Sequence, residues 1–266
     1  MKFLIVFFLF VTQSIFSQST TQRYFYELKN ESTSNLNRAS SKLYVLDVND
    51  TSVKFYKNDF LISDSLYTIH KDPGKVQNVM YRTDFAVIKN KSENAFIELK
   101  SFDLLDFYLV KEEAIKQDWK IEKEKKNENG FSLQKATLNY KGRNWIAWFN
   151  SEIPLPYGPY KFQGLPGLIF ELYDSENIYH FSLIKSQKLD SVFDTTNFLE
   201  NDFDTKRRII DEKQYSKILK EYIKDPLKNV QEPNVIDFQY MKEEINNLKK
   251  WLEKDNIEIL NILEKK

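Results

Sequence analysis

Three carboxylates lie close together along the chain, Glu152, Glu171 and Asp174, and two acids near one loop are what glycosidic hydrolysis by a carboxylate pair requires. Each also has a plainer use. Glu152 precedes an Ile-Pro turn, Glu171 alternates outward from a strand, and Asp174 suits the first position of a turn. The two histidines, His70 and His180, stand far apart and in no metal-ligand spacing, and neither a Gly-x-Ser-x-Gly elbow nor a Gly-x-x-x-x-Gly-Lys phosphate loop occurs. The chain has no cysteine, which removes disulfides, thiolate metal sites and a cysteine nucleophile. These residues argue for a protein that is not an enzyme and uses no metal or other cofactor. Arg143 is the better polar candidate, on a strand that also carries Trp148. A guanidinium in aromatic company is ion-paired if buried, the commoner fate, or stacks and binds a ligand if exposed. Arg143 and Trp148 are therefore candidate binding residues.

The element that must position these groups is the stretch from Gly142 to Asp174, which holds four of the six glycines and four of the seven prolines. Proline fixes φ and glycine permits positive φ and close approach, so Pro154, Pro156, Gly158, Pro159, Gly164, Pro166 and Gly167 dictate a path. Within Gly164-Leu165-Pro166-Gly167-Leu168-Ile169 the apolar side chains cannot all face water. Leu165, Leu168 and Ile169 are expected to anchor the loop, and Gly167, directly after Pro166, to supply the positive φ of a type II turn. Tyr157, Tyr160 and Phe162, on the lead-in, are expected to form an exposed aromatic rim that binds ligand or partner.

Those six residues, with Gly142-Arg143-x-x-x-Ala147-Trp148-Phe149, Glu152-Ile153-Pro154 and Gly158-Pro159-Tyr160-Lys161-Phe162 before them, resemble the GLPGLI family, exported proteins of Gram-negative bacteria. The strong part of the match covers roughly Gly130 to Lys188. Leu133 stands where the family commonly has a cysteine, and Asn256-Ile257-Glu258-Ile259 lacks the proline of the usual ending. The resemblance implies a fold and a compartment outside the cytoplasm rather than an activity.

Elsewhere the chain supports that expectation. Lys2, the apolar run Phe3–Val11 and the small polar residues through Ser17 read as a signal peptide over 1–17, cleaved near Ser17/Gln18, which places the mature protein in the periplasm, secreted or at the cell surface. No later segment is apolar over the roughly 20 residues that a membrane span needs, so no transmembrane span is expected in the mature protein. Lys plus Arg and Asp plus Glu both number 39, which gives no excess charge to draw the protein to nucleic acid.

Residues 18–266 read as one α+β domain. Over 18–190 it is mainly β: alternating or aromatic runs at Arg23–Leu28, Lys42–Val48, Ser52–Tyr56, Val76–Arg82, Phe85–Lys89, Phe96–Lys100, Leu105–Val110, Trp119–Lys123, Phe131–Tyr140, Arg143–Asn150, Leu168–Tyr173 and Tyr179–Lys185. Asn49-Asp50 suits a hairpin, Phe60–Ile69 fits helix or strand equally, and the sheet is expected to end near Lys185. Over 205–266 it is mainly helical. Tyr215, Ile218, Leu219, Tyr222 and Ile223 make one apolar stripe behind an Asp211/Gln214 capping pair, and a second stripe runs from Met241 to Leu263. Strands followed by helices imply a large antiparallel sheet, curved toward a half-barrel, with C-terminal helices on one face. That layout is similar to the carriers that localise bacterial lipoproteins. Two functions follow as expectations: a carrier or binder of an apolar or amphipathic ligand, or an accessory that engages a cell-envelope protein such as an outer-membrane transporter or secretion complex. A carboxylate-based hydrolase comes third.

Overall fold

The computed structural model describes residues 20–30, 42–70, 86–101, 107–190, 201–202 and 205–224. The signal segment, the strand expected at Val76–Arg82 and the second helical stripe lie outside the described residues, as does the His70 side chain. In chain order the elements are β1 (Thr21–Asn30), β2 (Lys42–Val48), β3 (Ser52–Lys57), α1 (Asn58–His70), β4 (Ala86–Asn90), β5 (Ala95–Ser101), β6 (Phe107–Glu113), β7 (Lys120–Glu128), β8 (Phe131–Tyr140), β9 (Arg143–Asn150), β10 (Leu168–Asp174), β11 (Tyr179–Leu189), β12 (Asn201–Asp202), β13 (Thr205–Lys206), β14 (Arg208–Asp211) and α2 (Glu212–Lys224).

Among the described residues twelve strands form one sheet in the order β14-β6-β5-β4-β3-β2-β1-β11-β10-β9-β8-β7, and β12 pairs with β13 in a second. Neighbours in the large sheet are antiparallel except β14, which lies parallel to β6 with Arg208 opposite Tyr108. The expectation that the sheet ends near Lys185 is thus corrected. The chain returns after residue 190 to add β14 as an edge, and that four-residue strand is too short for period-two alternation to announce it.

The sheet has to curl. β6 and β7 are ten positions apart in it, about 48 Å if it were flat at ~4.8 Å per strand. Only Ala114–Trp119 join them, and a linker of that length reaches at most about 25 Å. The curl shows directly in the turn between β8 and β9, where Lys141 Nζ lies 3.2 Å from both carboxylate oxygens of Glu112 in β6.

Both faces of the central strands are buried, which explains why β2 reads as the unbroken run Lys-Leu-Tyr-Val-Leu-Asp-Val. The inner face holds Tyr24, Tyr26 and Leu28 of β1, Tyr44, Leu46 and Val48 of β2, Val53 and Phe55 of β3, and Phe181 of β11. Tyr44 stacks on Phe55 at 5.2 Å, and the Phe181 ring meets both edge-on. On the outer face Val45, Tyr56, Ala86, Ile88, Leu99 and Leu109 pack with Phe60 of α1. Helix wins over strand at Phe60–Ile69 because Phe60, Ser63 and Asp64, spaced i, i+3 and i+4, are the buried face. The Arg23 guanidinium on the same outer face donates to both oxygens of Asp47 at 2.7 Å, and Tyr56 donates to Asp47 at 2.6 Å.

Local signals in the sequence fall where expected. Asn49 Oδ1 accepts from the Thr51 and Ser52 amides and closes the β2–β3 turn. Asp211 and Gln214 cap α2 reciprocally, each backbone amide donating to the other's side chain at 3.0 and 2.8 Å. Edge strand β7 is exposed along most of its length and rich in lysine and glutamate, the composition that discourages edge-to-edge pairing.

Candidate functional site

Residues 151–167 leave β9, cross the inner face of the curled sheet and return as β10. The loop starts where Asn150 Oδ1 accepts from the amides of Glu152 and Ile153. It closes on itself as a compact Ω-loop: Leu168 N donates to Ile153 O, Ile169 N to Tyr157 O, and Gly164 N to Pro156 O, all within 3.1 Å. Leu165, Leu168 and Ile169 are almost fully buried, as their apolar character in a glycine-proline loop led one to expect.

Gly167 works differently from the expectation. Its φ is not in the left-handed region, which Gly164 occupies instead at 97°. Glycine is needed at 167 because a Cβ there would lie 2.0 Å from the carbonyl oxygen of Asn150. The requirement is close backbone approach, not a type II turn. Gly158 is constrained in the same way, since a Cβ would come within 2.6 Å of Ile169 Cδ1.

The lead-in does not make an exposed rim. Phe162 is 2% exposed and packs its ring 4.6 Å from that of Trp145, with Tyr140 and Trp119 around it. Between Pro159 and Phe162 the chain turns tightly, Phe162 N donating to Pro159 O, and Tyr160 takes φ 57° at the second position. A bulky side chain in that region costs about 1–3 kcal/mol and persists only where its surroundings hold it. Here Tyr160 donates its hydroxyl to Glu98 at 3.0 Å, and the next residue is locked more firmly still.

Lys161 is enclosed completely and lies 2.7 Å from Glu98 of β5 and 2.9 Å from Glu112 of β6. Lys100 also pairs with Glu98 at 3.2 Å, and Lys141 with Glu112. Burial alone would lower the Lys161 pKa, but Glu98, Tyr160 and Glu112 outweigh it and hold the ammonium well above its ordinary range. Burial would raise both carboxyls. Lys100 and Lys161 nevertheless hold Glu98 below its usual value, and Lys161 and Lys141 bring Glu112 from 4.5 down to about 2. Burial, aided by the Glu112 and Glu98 charges and opposed by Lys161, pushes the Tyr140 hydroxyl up to about 12. Glu212, at the start of α2, is raised by burial and by its hydrogen bond to Glu112. The linker Ala114–Trp119 completes the seam: Gln117 donates to Lys161 O and accepts from Gln163 N, and Trp119 donates to Gln163 O. The β6 and β7 ends of the sheet are therefore joined through the motif loop and its charges.

Beside this clasp is a shallow surface cleft with a free volume of only about 10 Å³. Val53, Phe55, Val87, Lys89 and Phe96 line its sheet side, and Tyr157, Gly158, Tyr160, Phe162 and Gln163 its loop side. Tyr157, Tyr160 and Phe162 thus come together, as walls rather than a lip.

Arg143 and Trp148 lie elsewhere. Arg143 is buried against Asp174 at 2.8 Å, with Glu176 at 3.5 Å and the Tyr179 ring beneath it, the ion-paired alternative. Trp148 is on the outer face under Lys126 and Lys135. The three acids of the sequence reading go separate ways: Asp174 to Arg143, Glu171 to Lys126 and His180, and Glu152 to the surface. Two other carboxylates, Glu98 and Glu112, fourteen residues apart in neighbouring strands, meet at one fully buried lysine. Their only sequence signal is an acid at an inward position of a buried strand, visible once the strand's facing is known.

Comparison with known proteins gives two results. A family model described as a protein of unknown function (Porph_ging) matches residues 108–171, which include Glu112, Lys161 and the whole motif loop. Two structures of PNGF-II, from P21 and C2 crystals, match with TM-scores of 0.52 and 0.53 at 13% and 12% identity. They align with 76% of this chain, and the chain spans only about a third of their length, 34% and 33%. At that identity the likeness is one of fold. No curated protein matches the chain.

Proposed function

We propose that this chain is an exported, non-enzymatic protein of the GLPGLI type that binds a small apolar or amphipathic ligand in the cleft between the motif loop and strands β3–β5. It would act in the periplasm or at the cell surface once its signal segment is removed. The supporting observation is the cleft itself: apolar and aromatic on both walls, and walled on one side by the family-like loop. Phe162, Leu165, Leu168 and Ile169 fill the neighbouring interior, so the ligand is one that inserts a short end rather than a lipid enclosed whole. An accessory role, expected from an exposed aromatic lip, has less to stand on with Phe162 enclosed.

Native mass spectrometry of protein isolated from the cell envelope tests this. A bound small molecule is expected, and Tyr157→Ala, at a half-buried position of the loop wall, should weaken its retention while the fold is kept. Protein that is ligand-free and takes up no short-chain amphiphile in titration would overturn the proposal.

A further inference from the structure

We infer that the ligand of this cleft carries an anionic head, held by Lys89 and Lys91 at the cleft's rim. This rests on the cleft being the binding site proposed above. Lys89 lines the cleft from the inner face of β4, and Lys91 follows at the β4–β5 turn. Their ammonium groups stand over the two aromatic rings that form opposite walls: Lys89 Nζ is 5.7 Å from the centre of Phe96, and Lys91 Nζ is 5.6 Å from that of Tyr157. Both charges therefore flank the mouth of the cleft, where a short apolar group resting against Tyr157 would leave its head.

Neither ammonium has a carboxylate partner among the described residues. Lys89 donates only to the backbone carbonyl of Glu93, at 3.1 Å. The other lysines around the loop are treated differently: Lys100, Lys141 and Lys161 are all paired to Glu98 or Glu112, and Lys111 takes the Glu93 carboxylate at 2.7 Å. With acids and bases equal in number, the lack is local rather than a shortage. An ammonium has three donors, so each lysine keeps capacity for an incoming oxygen anion. A short-chain amphiphile ending in a carboxylate or a similar monoanion satisfies both the walls and the rim.

Calorimetric titration of the full chain with octanoate, 1-octanol and octylamine separates tail from head. Octanoate is expected to bind about tenfold more tightly than octanol, the scale of a charge-assisted hydrogen bond at a half-buried site, and octylamine more weakly than either. The double variant Lys89→Gln/Lys91→Gln should bring octanoate to octanol's affinity and leave octanol binding and the melting temperature unchanged. Added salt should weaken octanoate alone. Equal binding of octanoate and octanol to the parent protein, or a preference for octylamine, overturns the anionic head while leaving the cleft intact. Binding of none of the three overturns the cleft and this inference with it.

Discussion

One loop meets two unlike walls. Toward β8–β11 and β1 it presents Phe162, Leu165, Leu168 and Ile169 to rings and aliphatic chains, with one polar tie where Tyr26 donates to Ile169 O at 2.6 Å. Toward β5 and β6 it presents Tyr160 and Lys161 to two buried carboxylates. The first contact is non-directional and tolerates repacking. The second fixes position, because an ammonium between two acids is satisfied in one place only, and a buried charge out of place costs several kcal/mol. The apolar wall holds the loop in, and the charged wall sets where it stops, which in turn sets the width of the cleft.

The comparison breaks most completely if the loop cannot seat at all. Gly167→Val drives a side chain into the Asn150 carbonyl, and a loss of about 4 kcal/mol or more is expected, seen as failure to fold or a collapse of the urea midpoint. The next largest effect distinguishes the walls. Lys161→Met leaves Glu98 and Glu112 buried and facing each other, at a cost of about 3–5 kcal/mol. Adding Glu98→Gln and Glu112→Gln should recover most of it. Leu168→Ala on the apolar wall should cost about 2–5 kcal/mol, and the same two glutamine changes should give it no relief.

Acid sharpens the contrast further. Glu98 and Glu112 have lowered pKa values in the folded state, so they stabilise it above their ordinary value of 4.5 and lose that contribution as pH falls toward about 2 for Glu112. Glu212 is raised and runs the other way, its contribution fading as pH rises through its value. A net loss on the order of 2–3 kcal/mol is expected from Glu112 on acidification, measured as urea midpoints across that range, and Glu112→Gln should flatten the curve. The smallest effect is Tyr160→Phe, which removes the hydroxyl donated to Glu98 and should cost about 1.5 kcal/mol. It should also widen the cleft and weaken ligand binding.

Much of this fold was legible in advance. Lys42–Val48, Phe131–Tyr140 and Arg143–Asn150 have the same bounds in sequence and structure because each is a β-rich run between turn residues, and the Asp211/Gln214 cap is local chemistry. Burial of Leu165, Leu168 and Ile169 followed from apolarity alone. What failed is non-local. Phe162 looked like a surface aromatic because nothing along the chain shows that β8 and β9 supply a pocket for it. Gly167 looked like a turn residue because close approach to Asn150 depends on where β9 ends. Lys161 carries no signal along the chain because its partners are in β5 and β6, and a lysine beside a Gly-Pro-Tyr turn reads as solvent-facing until the sheet is curled.

The pairing of β1 with β11, Thr21 opposite Leu189, has a consequence for how the molecule comes together. Strands β2–β6 and β7–β11 are each joined mainly by connections between sequence neighbours, and can form as they emerge. The joint between the halves spans most of the chain and must wait for the last of these strands. Until it forms, β1 and β11 each present an unpaired edge ten or eleven residues long. The long-range β1–β11 pairing is therefore what removes those two edges, and a chain in which it is delayed is exposed to pairing with the wrong neighbour.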